Sequence, residues 1–300
     1  MTVLEEARRL RPSLRADLAV LGVAVVWGAS YPAAKGALAY APVLLLVLYR
    51  FLITAAVMSA LTRRELARAS RGDLLAGAAL GGLLFLIFLA ETWGVASTTA
   101  TNAALIISLC TIFTPFLEFG LKRRAPPSGV IFGAVLAILG VGALTGGATA
   151  FGSGDLLILG AAVLRAVMGV STKRLMSGRA LSSAALTAVQ ALTVCVLTLA
   201  VALGARGPEG LFVRAGLEFW SAVAFLSLFC TIGAFYVQNA AIRRTSPTRV
   251  SFLMGTEPLF GFVFAWLLLS EPASWRTLLG AGLILGGSFI GLAAERKASS

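Results

Sequence analysis

Residues 17–38 read DLAVLGVAVVWGASYPAAKGAL, and residues 155–176 read DLLILGAAVLRAVMGVSTKRLM. The two stretches match at a constant offset of 138 residues, which pairs Asp17 with Asp155. Later in the chain a second match, at an offset of 147, places GAVLAILG on GAGLILGG. Internal repeats are identified before other features because they determine the architecture. We therefore predict a chain built from two copies of one unit.

The composition indicates that this unit lies in a membrane. Of the 300 residues, 58% are hydrophobic and only 13% are charged, against roughly 25% charged in soluble domains. The mean hydropathy is +0.92. About 20 apolar residues cross a bilayer as a helix, and lipid requires the backbone to be hydrogen-bonded within each segment. We predict an all-α polytopic membrane protein with ten transmembrane helices, near residues 17–38, 42–62, 73–95, 98–120, 127–147, 154–175, 182–204, 217–241, 248–269 and 275–294.

The distribution of basic residues predicts the orientation. Nineteen of the 25 lysines and arginines fall in loops or termini on one side of the ten predicted spans. Positive residues favour the cytoplasmic side, which places both termini there. Since each copy has five spans, an odd number, the second copy is predicted to be inverted around a central cavity. The predicted units are a cytoplasmic N-terminal segment (1–16), a first five-helix repeat (17–147), an inverted second repeat (148–294) and a cytoplasmic tail (295–300).

The sequence offers little of the chemistry that enzymes use. It has no histidine, so imidazole bases, haem ligation and the common zinc sites are absent. A glycine-rich phosphate-binding loop that ends in Lys-Ser or Lys-Thr is also absent. The three cysteines lie in different spans without metal-ligand spacing, and we interpret them as small buried side chains. We predict no enzyme activity, no cofactor, no metal site and no nucleic-acid partner.

Polar and aromatic side chains at membrane depth are the candidates for a substrate pocket. Such groups are costly in lipid and usually face the bundle interior or a cavity. In the first span Trp27, Ser30 and Tyr31 share one helical face. Interhelical hydrogen bonding is the alternative role for any one of these groups. The predicted substrate-binding set is Trp27, Ser30, Tyr31, Arg50, Asn102, Gln190, Gln238 and Asn239.

Three charged residues lie near the middle of their spans. Arg50, Arg165 and Glu257 are about eight to eleven residues from the nearer end of their helices, which is close to mid-bilayer at about 1.5 Å per residue. One hypothesis is a structural ion pair of Arg50 or Arg165 with Glu257. The other is that an arginine receives a substrate carboxylate, because the guanidinium fork matches that geometry. Glu257 would then hold a proton or contact an ammonium group. Glu91, beside Trp93, is a weaker candidate of the same kind.

Prolines and glycines predict where the helices bend and pack. Pro115 and Pro258 interrupt the fourth and ninth spans, and together with Glu257 they are predicted to serve gating or coupling. In the last span, small residues four apart permit close helix contact, within the chain or between protomers. These pairs are Gly282 with Gly286 and Gly287 with Gly291.

Four segments carry a resemblance to a known family. They are WGASYPAAKGAL (27–38), LYRFLITA (48–55), TTATNAALI (98–106) and RRTSPTRVSFLMGTEPLFGFVFAWLLLSEP (243–272). The chain resembles the EamA-domain permeases of the drug/metabolite transporter superfamily over nearly its whole length, in two copies. It looks most like the aromatic amino-acid exporters of that group. The resemblance implies a ten-helix fold with a central cavity and the export of small metabolites.

We therefore predict an exporter of small metabolites, chiefly neutral and aromatic amino acids, that works by alternating access of the two inverted repeats. Its predicted location is the bacterial inner membrane, as a multi-pass protein with the lipid bilayer and a small-molecule substrate as partners and no obligate protein partner. A transporter of sugar phosphates or nucleotide sugars is the alternative within the superfamily. It would need several basic groups around the cavity, and only Arg50 and Arg165 are available. A passive channel and an integral-membrane enzyme are the alternatives from other classes.

Overall fold

The computed structural model of the chain describes residues 3–98, 103, 106–145, 152–269 and 275–299. All of its regular structure in these ranges is helical, without a strand. Seven helical segments of the described part are long and apolar enough to cross a membrane. Two further apolar helices are shorter. The prediction of an all-helical protein with several membrane spans is confirmed, whereas the count of ten spans stays a prediction.

The helices are numbered in chain order. The first half contains α1 (Val3–Gly28), α2 (Ser30–Leu38), α3 (Val43–Leu66), α4 (Arg71–Ser97), α5 (Cys110–Leu121) and α6 (Ser128–Thr145). The second half contains α7 (Ser153–Leu175), α8 (Ser183–Arg206), α9 (Leu217–Ser227), α10 (Ala234–Arg244), α11 (Pro247–Met254), α12 (Glu257–Leu269) and α13 (Trp275–Ser299). A short 3₁₀ helix at Glu209–Leu211 precedes α9, and a π-helical turn at Leu228–Gly233 joins α9 to α10.

Four of the predicted spans contain an interruption of the regular α-helix within the described residues. The first changes from α1 to α2 at Ala29, three residues before Pro32. The fourth has a turn at Ser108 and Leu109, directly before α5. The eighth contains the π-helical turn between α9 and α10. The ninth is divided by a turn at Gly255 and Thr256, directly before Glu257 and Pro258. Proline lacks a donor N–H, and a π-turn shifts the hydrogen-bonding register, so backbone groups become available for other partners at membrane depth.

Helices of the two halves pack against each other in related pairs. α6 packs along α13, α3 along α8, and α4 along α7, while α1 and α2 contact α10 and α9. When each helix is replaced by its counterpart in the other half, the contact of α4 with α7 becomes the contact of α9 and α10 with α1 and α2. The contacts of α6 with α13 and of α3 with α8 join counterparts directly. The helices α1 and α7, which carry the matched sequences, also run in opposite directions. Asp17 and the last turn of α7 both lie at one end of the bundle, so Asp155, about 30 Å along α7, lies at the other.

A network of charged side chains closes the end of the bundle where the basic loops gather. Arg249 at the start of α11 donates to Asp17 of α1 at 2.5 and 2.8 Å, and it lies 3.7 Å from Glu295 of α13. Glu118 of α5 accepts hydrogen bonds from the backbone N–H and hydroxyl of Thr248. Lys173 at the end of α7 donates to the carbonyls of Arg243 and Thr245. We call this the basic end.

Among the described residues, the opposite end has fewer charged contacts. Asp155 accepts a hydrogen bond from the Thr98 hydroxyl and another from the backbone N–H of Gly152. Tyr40, after α2, donates its phenol proton to Glu218 at the start of α9. Because that hydrogen bond and the charge of Glu218 favour the protonated phenol, the pKa of Tyr40 is raised. The contacts of Thr98 with Asp155 and of Tyr40 with Glu218 connect the two halves at the end remote from the basic loops.

Glycines bring α6 and α13 into backbone contact. A Cβ atom added at Gly133 would lie 2.6 Å from the carbonyl oxygen of Gly287, and one added at Gly140 would lie 2.7 Å from that of Gly280. A Cβ atom added at Gly291 would likewise clash, in this case with the ring of Phe252 on α11. By contrast, Gly282 and Gly286 face open space. Of the small-residue pairs predicted from the sequence, Gly287 with Gly291 therefore serves packing within the chain, whereas Gly282 with Gly286 contacts no described part of it.

Candidate functional site

The centre of the bundle holds a cluster of one arginine and two carboxylates. Arg165 of α7 donates Nε and Nη2 to the carboxylate of Glu91 on α4, at 2.7 to 3.0 Å. Its Nη1 lies 4.0 Å from Oε2 of Glu257, the first residue of α12. The three side chains are 7 to 18% exposed. We call Arg165, Glu91 and Glu257 the central cluster.

The indole of Trp27 covers one face of the central cluster. The guanidinium carbon of Arg165 lies 4.8 Å from the centre of that ring, a distance typical of cation–π contacts. The indole N–H donates to the carbonyl oxygen of Cys230 at 2.8 Å, so the ring is held in place from both sides. Trp27 and Arg165 are related by the offset of 138. Two positions that are equivalent in the two sequence copies thus touch each other at the centre.

The π-helical turn supplies the acceptors that hold both Trp27 and Arg50. Arg50 of α3 donates Nε to the hydroxyl of Thr231 at 2.6 Å and Nη2 to the carbonyl of Cys230 at 3.4 Å. Its guanidinium also lies 4.6 Å from the ring centre of Phe88. Within the described part of the chain Arg50 makes no ion pair. Between the two pairings predicted for Glu257, only that with Arg165 occurs, at 4.0 Å, and the one with Arg50 is wrong.

Two polar atoms beside the central cluster have no hydrogen-bond partner. They are the hydroxyl oxygen of Tyr31 and Oε1 of Glu257, and no described residue bonds to either. Tyr31 is 8% exposed and Glu257 is 6% exposed. The Tyr31 phenol lies within electrostatic range of the Glu257 and Glu91 carboxylates and of Arg165. Because burying a polar group without a partner costs about 1–3 kcal/mol, these two atoms make the surroundings of the central cluster a candidate binding site.

A cavity of about 40 Å³ opens beside these atoms. Its wall includes Arg165 and Glu257 together with Cys110, Gln238 and Met254, and it extends toward Ile242 and Pro247 near the basic end. A volume of this size admits a few water molecules, so an amino acid does not fit the cavity as the described residues line it.

The structure places most of the predicted site residues in one of two clusters. Trp27, Tyr31, Gln238, Glu257 and Pro258 lie at the central cluster or in the wall of its cavity. Gln190 and Asn239 form a separate buried cluster, in which the Asn239 amide donates to Gln190 Oε1 at 2.8 Å and to the Thr187 hydroxyl at 3.1 Å.

The remaining predicted residues take other positions. Ser30 is the half-buried first residue of α2. Pro115 lies inside α5, where Thr114 beside it and Cys110 at the start of the helix line the cavity. Asn102 lies outside the described residues. Glu91, only a secondary candidate in the sequence, is the main partner of Arg165. The offset of 147 places Glu91 on Gln238, and that match could have marked both as candidate site residues.

The model of the EamA-like transporter family matches the sequence twice, over residues 14–146 and 152–292. The chain belongs to the EamA-like transporter family. As a member of this family it is a membrane transporter with a small-molecule substrate, and the family resemblance predicted from the sequence is confirmed.

Relatives and a solved structure agree with this membership. The EamA-like chain is 26% identical over 296 residues to "Uncharacterized transporter YetK" of Bacillus subtilis, a match that covers 93% of the chain and 85% of the relative. It is also 26% identical to an "Uncharacterized transporter" of Archaeoglobus fulgidus, covering 91% of the chain and 96% of the relative. A protein of known crystal structure shares the fold with a TM-score of 0.75 at 21% identity, over 95% of this chain and 99% of that one.

Proposed function

We propose that this transporter exports neutral amino acids, the aromatic ones among them, across a bacterial inner membrane, with the basic end in the cytoplasm. The observation that carries the proposal is the central cluster with its two unpartnered atoms. A zwitterion presents a carboxylate and an ammonium group a few ångströms apart, so a matching site must offer both charges side by side. Arg165 and Glu257 do so, 4.0 Å apart in the wall of one cavity.

Each atom of the cluster has a role in this proposal. Glu91 occupies the Nε and Nη2 edge of the guanidinium, which leaves Nη1 to donate to the substrate carboxylate. Oε1 of Glu257 accepts from the ammonium group, and the Tyr31 hydroxyl donates to the carboxylate. Met254 and Cys110 supply apolar surface for the side chain of the substrate. A phosphate ester would instead require several cations without carboxylate partners.

We further propose that the two halves are inverted repeats that alternate access to this cluster. Two observations support it: α1 and α7 run in opposite directions, and the helix contacts are paired between halves. Entry of substrate from the cytoplasmic side would then require the contacts of Arg249 with Asp17 and Glu295 to separate. Arg50, Gln190 and Asn239 bond to neighbouring helices, and we assign them the task of positioning α3, α8 and α10 around the cavity.

The proposal is tested by counterflow in liposomes that contain the purified protein. Liposomes loaded with unlabelled phenylalanine should take up labelled phenylalanine transiently, and unlabelled leucine or tryptophan outside should compete. Labelled glucose 6-phosphate should not be exchanged. Exchange of the sugar phosphate but of no amino acid would replace the proposed substrate class, and flux that never saturates would indicate a channel.

Tyr31→Phe offers a test of the site that is independent of folding. Since the Tyr31 hydroxyl has no hydrogen-bond partner within the described structure, its removal should not lower the thermal stability of the protein. If the hydroxyl binds substrate, the half-saturation concentration for phenylalanine exchange should rise about two- to tenfold, which corresponds to one lost hydrogen bond. An unchanged half-saturation concentration would exclude Tyr31 from the site.

A further inference from the structure

We propose that the basic end carries a second binding site, which takes the phosphate group of an anionic phospholipid from the surrounding membrane. The site is a cavity of about 410 Å³ between two loops, one from each half of the chain. This volume is within the range of ligand pockets, roughly 300–1,000 Å³. The cavity shares no lining residue with the one at the central cluster, so the two sites are separate.

The wall of this cavity joins the loop after α3 to the loop after α7. The first loop and its flanking turns contribute Arg64, Glu65, Arg68 and Asp73, and the second loop contributes Leu181. The carbonyl oxygen of Leu181 accepts a hydrogen bond of 2.6 Å from the guanidinium at position 243, in the last turn of α10. This contact places the cavity at the basic end.

The two carboxylates in the wall are already bonded within the protein. Glu65 accepts hydrogen bonds from the backbone N–H of Ser182 at 2.6 Å and from its hydroxyl at 2.7 Å, at the start of α8. Asp73 is paired with the guanidinium of Arg179 at 3.1 Å. Both contacts run between the two loops, so they also fix the shape of the cavity.

The two arginines in the wall have no such contacts. Arg64 and Arg68 are exposed, and neither makes a hydrogen bond or an ion pair with another described residue. Together with Arg179 they bring three positive charges to two carboxylates, which leaves a net positive charge for an anion. A guanidinium donates its N–H groups in a planar fork that matches the oxygens of a phosphate.

Apolar side chains beside the cavity favour a lipid over a soluble phosphate. Leu61 lies one turn before Arg64 on α3 and is 75% exposed. Leu75 lies near the start of α4 and is 70% exposed. Because α3 ends and α4 begins at this cavity, both leucines lie deeper in the membrane than the arginines. A lipid can therefore place its phosphate on the arginines and its acyl chains on the leucines, as basic pockets between membrane helices do with anionic headgroups.

Binding of lipid to the purified full-length chain in detergent, measured by native mass spectrometry without a transport substrate, tests the proposal. Phosphatidylglycerol should bind, and phosphatidylcholine, which has no net charge, should bind at least about fivefold more weakly. Each arginine near an anionic headgroup contributes about a factor of five, so Arg64→Gln combined with Arg68→Gln should weaken binding of phosphatidylglycerol about 25-fold. Since neither side chain has a partner, this double variant should unfold at the wild-type temperature in lipid-free detergent.

A matched control removes two other arginines from the same end of the bundle. Arg123 and Arg124, in the loop after α5, are exposed and lie outside the cavity. Their replacement by glutamine changes the net charge by the same amount, and this variant should bind phosphatidylglycerol as the wild type does. An equal loss of binding in both double variants would show a general effect of charge and overturn the site. Equal binding of the two lipids, or full binding without Arg64 and Arg68, would overturn it as well.

Thermal unfolding in the same detergent separates a lipid from a soluble anion. Phosphatidylglycerol at a hundredfold excess over its Kd should raise the unfolding temperature of the wild type by about 5–10 °C, and that of the Arg64/Arg68 double variant by less than half as much. Inorganic phosphate at the same concentration should leave both temperatures unchanged. If inorganic phosphate stabilises the wild type as much as the lipid does, the cavity is a site for a soluble anion and the proposed lipid is wrong. No amino acid enters these measurements, so their outcome is independent of the proposed substrate.

Discussion

Replacement of Arg165 by leucine should abolish amino-acid exchange and lower the free energy of unfolding by about 3–5 kcal/mol. The large stability effect is expected because the substitution leaves the Glu91 carboxylate, 12% exposed, without its cation. The loss of transport is expected because the substrate carboxylate loses its only proposed cationic partner. Thermal unfolding in detergent measures the first effect, and counterflow of labelled phenylalanine measures the second.

A double variant distinguishes the structural from the transport role of this ion pair. Arg165→Leu combined with Glu91→Leu removes the close pair, and a buried pair replaced by apolar residues often costs little stability. Glu257 then loses its longer contact of 4.0 Å with Arg165, so we expect the double variant to recover most but not all of the stability lost in Arg165→Leu while remaining inactive. If it recovers both stability and exchange, Arg165 is a structural residue and the proposed substrate site is wrong. If it recovers neither, packing rather than charge dominates at this position.

Gly287→Ala should be among the most destabilising small substitutions in this protein. The added Cβ would lie 2.5 Å from the backbone nitrogen of Ala137 and 2.6 Å from the carbonyl oxygen of Gly133. Backbone atoms cannot rotate away as a side chain can, so α13 must move off α6. Overpacking of this kind costs about 1–3 kcal/mol and occasionally more, and here it acts along the whole helix pair.

The neighbouring residue provides a matched control for this prediction. Gly286 faces open space, so Gly286→Ala adds the same methyl group to the same helix without a clash. The higher helix propensity of alanine should make that variant equal to the wild type or up to about 1 kcal/mol more stable. Comparison of the two unfolding temperatures isolates the contact with α6. Equal temperatures would contradict the close packing of α6 and α13.

Much of the fold could be predicted because its causes are local. Apolar length predicts membrane helices, and the match of Asp17 with Asp155 predicts two related halves. The partner of Arg165 could not be obtained in this way. Glu91 and Arg165 lie on different helices, 74 positions apart, and no periodicity relates them. The choice of Glu91 over Glu257 depends on how α4 and α12 pack around α7, which is a property of the assembled bundle.

The same limit applies to Arg50 and to the amides. Their polarity and depth indicate interior positions, and the structure places Gln190 and Asn239 in the interior. Whether such a group faces a cavity or another helix depends on its neighbours. The π-helical turn decides this for Arg50, since it presents the Cys230 carbonyl and the Thr231 hydroxyl where a regular helix would use its carbonyls internally. No pattern in LFCTIG predicts that turn.

The contact of Arg165 with Trp27 has a consequence for how such a protein can be assembled. The two residues hold equivalent positions in the two sequence copies, and they touch. In a dimer of two identical chains, the two equivalent positions would carry the same residue. They would be two arginines, which repel each other, or two tryptophans, which provide no cation. Phe88 and Phe235, also equivalent and 5.9 Å apart, are a pair that identical chains could form. Joining the halves in one polypeptide is what allows an unlike pair at the shared centre, and with it a site of defined polarity.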